Sequence, residues 1–151
     1  SGEHDRLNGG AAHVAATVGT EDRAAVMDSM ILCKFLRGVF DDPFAEWAAL
    51  LSVVTGWDVD AAELHATAQR IVLAKRAFNQ REGATAADDT LPPRLLGTPL
   101  ELGSGRVAAL TEDRLQAMID GYYAARGWDA EGRPGREDLA GLRLDGVRGQ
   151  S

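Results

Sequence analysis

The chemistry this chain can offer is concentrated in one apolar run, Ala24-Ala25-Val26-Met27-Asp28-Ser29-Met30-Ile31-Leu32-Cys33-Lys34-Phe35, which holds the sole cysteine and a single acid. Asp28 is the only carboxylate between Ala24 and Phe40, so it is expected among apolar neighbours. A carboxylate there is costly unless it is hydrogen-bonded or paired. A thiol does chemistry as its thiolate, which is also the form that binds metal. One reading makes Asp28 an acceptor of hydrogen bonds from a polar ligand and Cys33 a sulfur donor to a metal. The other makes Cys33 a small core hydrophobe and Asp28 a local cap. Elsewhere there is no G-x-G-x-x-G, no phosphate-cradling loop, no C-x-x-C and no H-E-x-x-H. His4, His13 and His65 stand apart from one another and are expected at the surface. One cysteine allows no internal disulfide, and it is one thiolate where a four-iron cluster needs four protein ligands.

Helices must position these groups. The stretch to Gly19 is weakly patterned and is expected to be an irregular lead, with at most a short helix near His13. Thr20 before Glu21 and Asp22 has the form of an N-cap with acids in the first turn. From there Ala24, Met27, Ile31 and Phe35 recur at helical spacing, and Val26, Met30 and Leu32 widen the stripe, which predicts a buried element as far as Phe40. In a continuous helix Asp28 and Cys33 would sit about 140 degrees apart around the axis. To serve one ligand pair, that helix must end near Met30 to Leu32; otherwise the two groups reach two different cofactors.

Asp42-Pro43 predicts the next helix start, with Phe44, Trp47, Ala48, Leu51 and Val54 inward and Gly56 as its end. Asp60 and Glu63 form a capping box ahead of a long helix through Leu64, Ala68, Ile71, Ala74 and Phe78. Arg70, Lys75, Arg76 and Arg81 along it are expected to form a solvated basic edge. From Gln80 to Gly105 periodicity lapses, and a loop of that length is unusual in a compact domain. There Asp88 and Asp89 are expected to cap a turn, while Leu91, Leu95 and Leu96 pin the loop to the core. Thr111 caps a helix with Leu115, Met118, Tyr122 and Ala125 inward, ended by Gly127, after which Trp128 packs back. A last short helix is expected over 137–142. No segment shows two-residue alternation, so the expectation is an all-α, irregular helical domain with long loops, a single domain over 1–151.

The chain has 151 residues, 45% of them hydrophobic and 26% charged, enough for a real core. A net charge of −7 speaks against a phosphate-backbone binder, and no apolar segment is long enough to span a bilayer, so neither nucleic acid nor membrane is expected as a partner. With no cleavable signal pattern and no disulfide, the expected location is cytoplasmic. Ser1-Gly2 reads as a cloning remnant or as the point where a longer protein was cut.

The 28–35 segment resembles the Asp-x-x-Gly-Leu-Cys segment near the C-terminus of the tungsten-dependent aldehyde ferredoxin oxidoreductase family, with Ile31 standing where that pattern has glycine. Further strings are similar to the family in the same order: Gly56-Trp57-Asp58-Val59 with Glu63, Phe78-Asn79-x-Arg81-Glu82-Gly83, Asp88-Asp89-Thr90-Leu91-Pro92-x-Arg94-Leu95, and Tyr122-Tyr123-x-x-Arg126-Gly127-Trp128-Asp129-x-x-Gly132-x-Pro134. They span Gly10 to Leu144. The resemblance implies that Asp28 and Leu32 contact a tungsten bis-pterin cofactor and that Cys33 is the fourth ligand of a 4Fe-4S cluster. It also implies that the other three cysteines lie on upstream domains or a partner subunit, and that ferredoxin accepts the electrons. On its own the chain is then expected to hold neither cofactor and to be inactive. A branch that reduces aromatic acyl thioesters shares the architecture. The rival expectation is a free-standing helical interaction module, or the small subunit of a split tungsten enzyme, without chemistry of its own.

Overall fold

A computed structural model describes residues 9–103 and 105–142. The longer helices are α1 (Ala11–Ser29), α2 (Pro43–Thr55), α3 (Ala61–Arg81) and α5 (Glu112–Arg126), joined by the short α4 (Pro93–Leu96) and α6 (Arg136–Gly141). Single 3-10 turns lie at Lys34–Gly38 and Ala86–Asp88. The fold is mostly helical, as expected. The exception is an antiparallel pair, β1 (Leu100–Glu101) and β2 (Val107–Ala108), in register Leu100↔Ala108. Two-residue strands are too short to leave alternation in a sequence.

Local signals set most helix ends. Asp42 accepts from the Ala45 N–H with Pro43 in the first turn, Asp60 accepts from the Glu63 N–H at 2.8 Å, and Thr111 accepts from the Arg114 N–H at 3.3 Å. Gly56 and Gly127 close α2 and α5 in the left-handed conformation, at φ of 74° and 70°. The box at Asp60 is half made, because the Glu63 carboxylate turns outward to Arg70 at 2.7 Å.

The first helix departs from expectation at both ends. It begins at Ala11 behind Gly10, which makes no side-chain cap, and runs straight through Gly19 and Thr20. The alanine-rich 11–16 stretch favours helix, and the cost of a glycine inside it, about 1 kcal/mol, is met by packing along α5. There Gly121 leaves room for Val14, whose Cγ2 lies 3.1 Å from where a β-carbon on that glycine would be.

At its other end α1 stops at Ser29 rather than continuing to Phe40. The Leu32 N–H donates to the Met27 carbonyl at 2.8 Å and the Ile31 N–H to Asp28 at 3.3 Å, while Ile31 adopts φ of 57°. This is a Schellman cap with isoleucine at the glycine position, and the two residues that such caps pack together, Met27 and Leu32, both belong to the core. The chain turns outward there. Ile31 is 91% exposed and Phe35 93%, so the expected buried element is instead an exposed apolar segment.

The principal core joins Val26 and Met27 of α1, Phe44, Trp47 and Ala48 of α2, and Leu64 and Ala68 of α3, with Met30, Leu32 and Phe40 packed against it. Val54 and Phe78, expected inward, face solvent, and on α5 it is Tyr123 that is buried while Ala125 is exposed. His65 is exposed as expected and stacks on Phe44, ring centroids 3.5 Å apart.

A β-branched residue in the left-handed region costs about 1–2 kcal/mol, and the exposed Ile31 side chain recovers little of it by burial. Ile31→Gly is therefore expected to stabilise the chain by about 1 kcal/mol in urea unfolding. An equal or lower unfolding midpoint would show that the strain is absent.

Candidate functional site

Asp28 occupies the last turn of α1, where its side chain is 62% exposed and pairs with Lys34 Nζ at 3.4 Å. The expectation of a carboxylate among apolar neighbours is thus overturned, because the helix turns its core face, Val26 and Met27, away from this position. Cys33 is exposed as well. It precedes the 3-10 turn in extended geometry, and its carbonyl accepts the Leu36 N–H at 2.9 Å. The reading of Cys33 as a core hydrophobe fails with it.

Because α1 ends at Ser29 with its cap at Met30, Asp28 and Cys33 are not carried on one continuous helix. Lys34, the ion-pair partner of Asp28, adjoins Cys33 in the chain. Leu32, half-buried between them, spends its N–H on the Met27 carbonyl. No group of three or more His, Cys, Asp or Glu side chains among the described residues could hold a metal ion. One exposed thiol, with Ile31, Phe35 and Val39 also exposed in the same stretch, can serve at most as a single ligand of such an ion.

Two ionic networks escape a reading of the sequence. In the first, Arg126, with 6% of its side chain exposed, donates to Asp22 at 2.7 Å and to Glu21 at 2.6 Å. The Tyr122 hydroxyl donates to Glu21 and accepts from Arg126 Nε at 3.2 Å. Glu21 and Asp22 are therefore mid-helix partners of α5 rather than first-turn acids. In the second, Arg76 pairs with Asp89 at 2.9 Å, donates to the Gly132 carbonyl at 2.9 Å and lies over the rings of Tyr123 and Trp128. The Tyr123 hydroxyl donates to Asp89. The expectation that Arg76 belongs to a solvated edge is wrong, because α3 turns this position toward the 128–132 turn. Asp88 does cap its turn, accepting from Thr85, but Asp89 does not.

Gly132, at φ of 66°, has no room for a side chain: a β-carbon would lie 2.3 Å from Arg76 Nη2 and 2.6 Å from Tyr123 Cζ. Trp128 packs back as expected, edge-on to Tyr122 at 5.6 Å. His4 lies outside the described residues. The adjacent acids Glu21-Asp22 and Arg76 on α3 were the available signals, but their partners are remote in sequence.

Burial, and then the Glu21 carboxylate, push the Tyr122 phenol up to about 12. Burial alone would lower the Arg126 guanidinium, but its bonds to Asp22, Tyr122 and Glu21 outweigh that and raise it. Both networks tie helices together, whereas Asp28, Ile31, Cys33, Phe35 and Val39 lie exposed outside them.

The family model described as aldehyde ferredoxin oxidoreductase, domains 2 and 3, matches residues 2–144. The chain belongs to the aldehyde ferredoxin oxidoreductase family. It is 35% identical over 126 residues to a tungsten-containing aldehyde ferredoxin oxidoreductase of Pyrococcus furiosus, covering 82% of this chain and 20% of that protein. A Thermococcus kodakarensis enzyme of the same description is 34% identical over 126 residues, with the same coverage. The chain thus spans about a fifth of the length of these relatives. Among solved structures it is similar to the active site complex BamBC of benzoyl coenzyme A reductase, with a TM-score of 0.54, 24% identity, and coverage of 69% of this chain and 14% of that one. That likeness concerns the fold. Ile31 closes α1 in the left-handed conformation, a position that favours glycine.

Removing Arg126 would leave Asp22 buried without a counter-charge, a loss of about 3 kcal/mol or more. Arg126→Met is expected to unfold at correspondingly lower denaturant, and an unchanged midpoint would contradict a structural role. For Tyr122 the folded pKa lies above the unfolded value, so its contribution is complete below pH 10 and is lost as pH rises toward 12. Unfolding free energy is expected to fall over that window and to fall less steeply in Tyr122→Phe. Identical slopes would place the effect elsewhere.

Proposed function

We propose that residues 1–151 form one helical domain, the C-terminal part of a tungsten-pterin aldehyde:ferredoxin oxidoreductase. In this reading it supplies pterin contacts and one iron-sulfur ligand and is inactive on its own. The observation that carries the reading is the exposed thiol of Cys33 at the end of α1, beside exposed Ile31, Phe35 and Val39. A sealed sulfur could not join a site whose other ligands come from elsewhere, whereas an open one with apolar flanks can be covered by another protein part.

When bound, the tungsten-pterin would carry the oxidation of an aldehyde to a carboxylate, and a 4Fe-4S cluster would pass the electrons to ferredoxin. Cys33 enters as its thiolate and gives up its proton on binding metal. Asp28, already charge-matched by Lys34, offers carboxylate oxygens to N–H donors of the pterin. Leu32 presents its carbonyl while its side chain stays anchored on the core. The Schellman turn at Ile31 orders these three positions, so the ligand groups sit on backbone fixed by the fold. The remaining ligands belong to upstream domains or to a partner subunit, in a cytoplasmic setting; none of the described helices is long and apolar enough to cross a membrane.

A second reading takes the chain as a helical interaction module or the small subunit of a split tungsten enzyme. It draws on the single thiol and on the bulky Ile31 at a glycine position. Iron and tungsten analysis of the purified chain and of whatever co-purifies with it separates the two. Cys33→Ala in the complete enzyme is expected to lower bound iron and to abolish electron delivery to ferredoxin. Full iron content together with full activity would overturn the ligand assignment.

A further inference from the structure

Helix α2 carries two apolar stripes, and only one of them meets the core. Phe44, Trp47, Ala48 and Leu51 pack inward. Leu50, Val53 and Val54 recur at i, i+3 and i+4 on a second face about 120° round the axis. All three are exposed, Val53 at 86%. Trp57 follows directly beyond the Gly56 cap; it is 64% exposed, and its N–H donates to the Thr55 hydroxyl at 3.1 Å. A surface helix ordinarily turns charged and polar residues to solvent. In α2 the one charged residue is Glu46, a turn before Leu50 on the same outer face.

The charge around this face has a single sign. From Gly38 to Gln69 the chain has six acids and no lysine or arginine, so no cation from this stretch answers them. Asp42 and Asp60 are spent as helix caps, and Glu63 pairs with Arg70. Asp41, Glu46 and Asp58 remain exposed, with no side-chain hydrogen bond or ion pair among the described residues.

An apolar stripe rimmed by uncommitted acids suits a protein surface with an apolar centre and lysine or arginine around it. A second copy of this chain would bring the same acids together, and an anionic membrane surface would be repelled. The chain spans about a fifth of the length of its relatives, so most of such an enzyme lies outside residues 1–151. A segment of the same polypeptide is held near this face at high effective concentration. We propose that the outer face of α2 seats an apolar surface, rimmed by lysine or arginine, of the upstream part of the same enzyme. This rests on the reading of the chain as part of a longer enzyme, and not on the roles of Asp28, Leu32 or Cys33.

Hydroxyl-radical footprinting read by mass spectrometry compares the full chain with the complete enzyme, with buried Trp47 as internal reference. In the chain, Trp57 is expected to be oxidised much faster than Trp47. In the complete enzyme its rate should fall to that of Trp47. Glu46→Lys combined with Asp58→Lys should raise Trp57 oxidation in the complete enzyme about threefold, with the unfolding midpoint of the chain unchanged. Benzoylphenylalanine in place of Val53, in complete enzyme prepared from mixed 14N and 15N copies, should cross-link on illumination to an upstream segment of its own copy. Equal Trp57 oxidation in chain and complete enzyme, indifference to the charge reversal, or cross-links to a second copy or another protein would overturn the proposal. The two readings fail separately: bound iron in Cys33→Ala reports the ligand assignment, and Trp57 oxidation reports the docking.

Discussion

The Arg126 guanidinium, buried between α5 and α1, is the tie on which the arrangement depends. It grips two adjacent carboxylates of one helix and a phenol of its own, so α1 can neither slide nor rotate against α5 without stranding a charge. With α1 fixed at its middle, its far end is fixed too: the core residues Val26 and Met27 are seated, and the cap over Ile31 determines where Leu32 and Cys33 emerge. The Cys33 thiol is exposed but does not lie on a loose tail. Here it stands one residue beyond a leucine anchored in the core.

The second ion pair works on the other side of the same frame. Arg76 gathers the 88–91 segment and the 128–132 turn onto α3, and Gly132 is bare because the guanidinium and the Tyr123 ring occupy the space a side chain would take. Residues of both networks line a cavity between α1, α3 and α5. The segments around Asp89 and from Tyr122 to Gly132 therefore build the frame.

Much of the helical outline was legible because it is local. Asp42, Asp60 and Thr111 as caps, and Gly56 and Gly127 as left-handed ends, are decided within a few residues of chain. The start of α1 was not legible: Thr20 has the chemistry of a cap, and only packing against α5 makes it an interior position. Nor could periodicity reveal that Ile31, Phe35 and Val39 face outward, since an exposed apolar stripe looks the same in sequence as one packed into the chain's own core. Asp28 and Cys33 stood out by residue type and by the resemblance, and their exposure follows from the turn at Ile31, which an isoleucine does not announce. Arg76 looked like one of four surface cations until its remote partners were seen.

The direct measurement of whether position 33 faces a metal assembly is the rate of thiol alkylation in three states: the free chain, the complete metal-loaded enzyme, and that enzyme after iron is chelated. Fast modification in the first, protection in the second and renewed modification in the third is the expected pattern. Modification of the metal-loaded enzyme as fast as that of the free chain would contradict the assignment of Cys33 as a ligand.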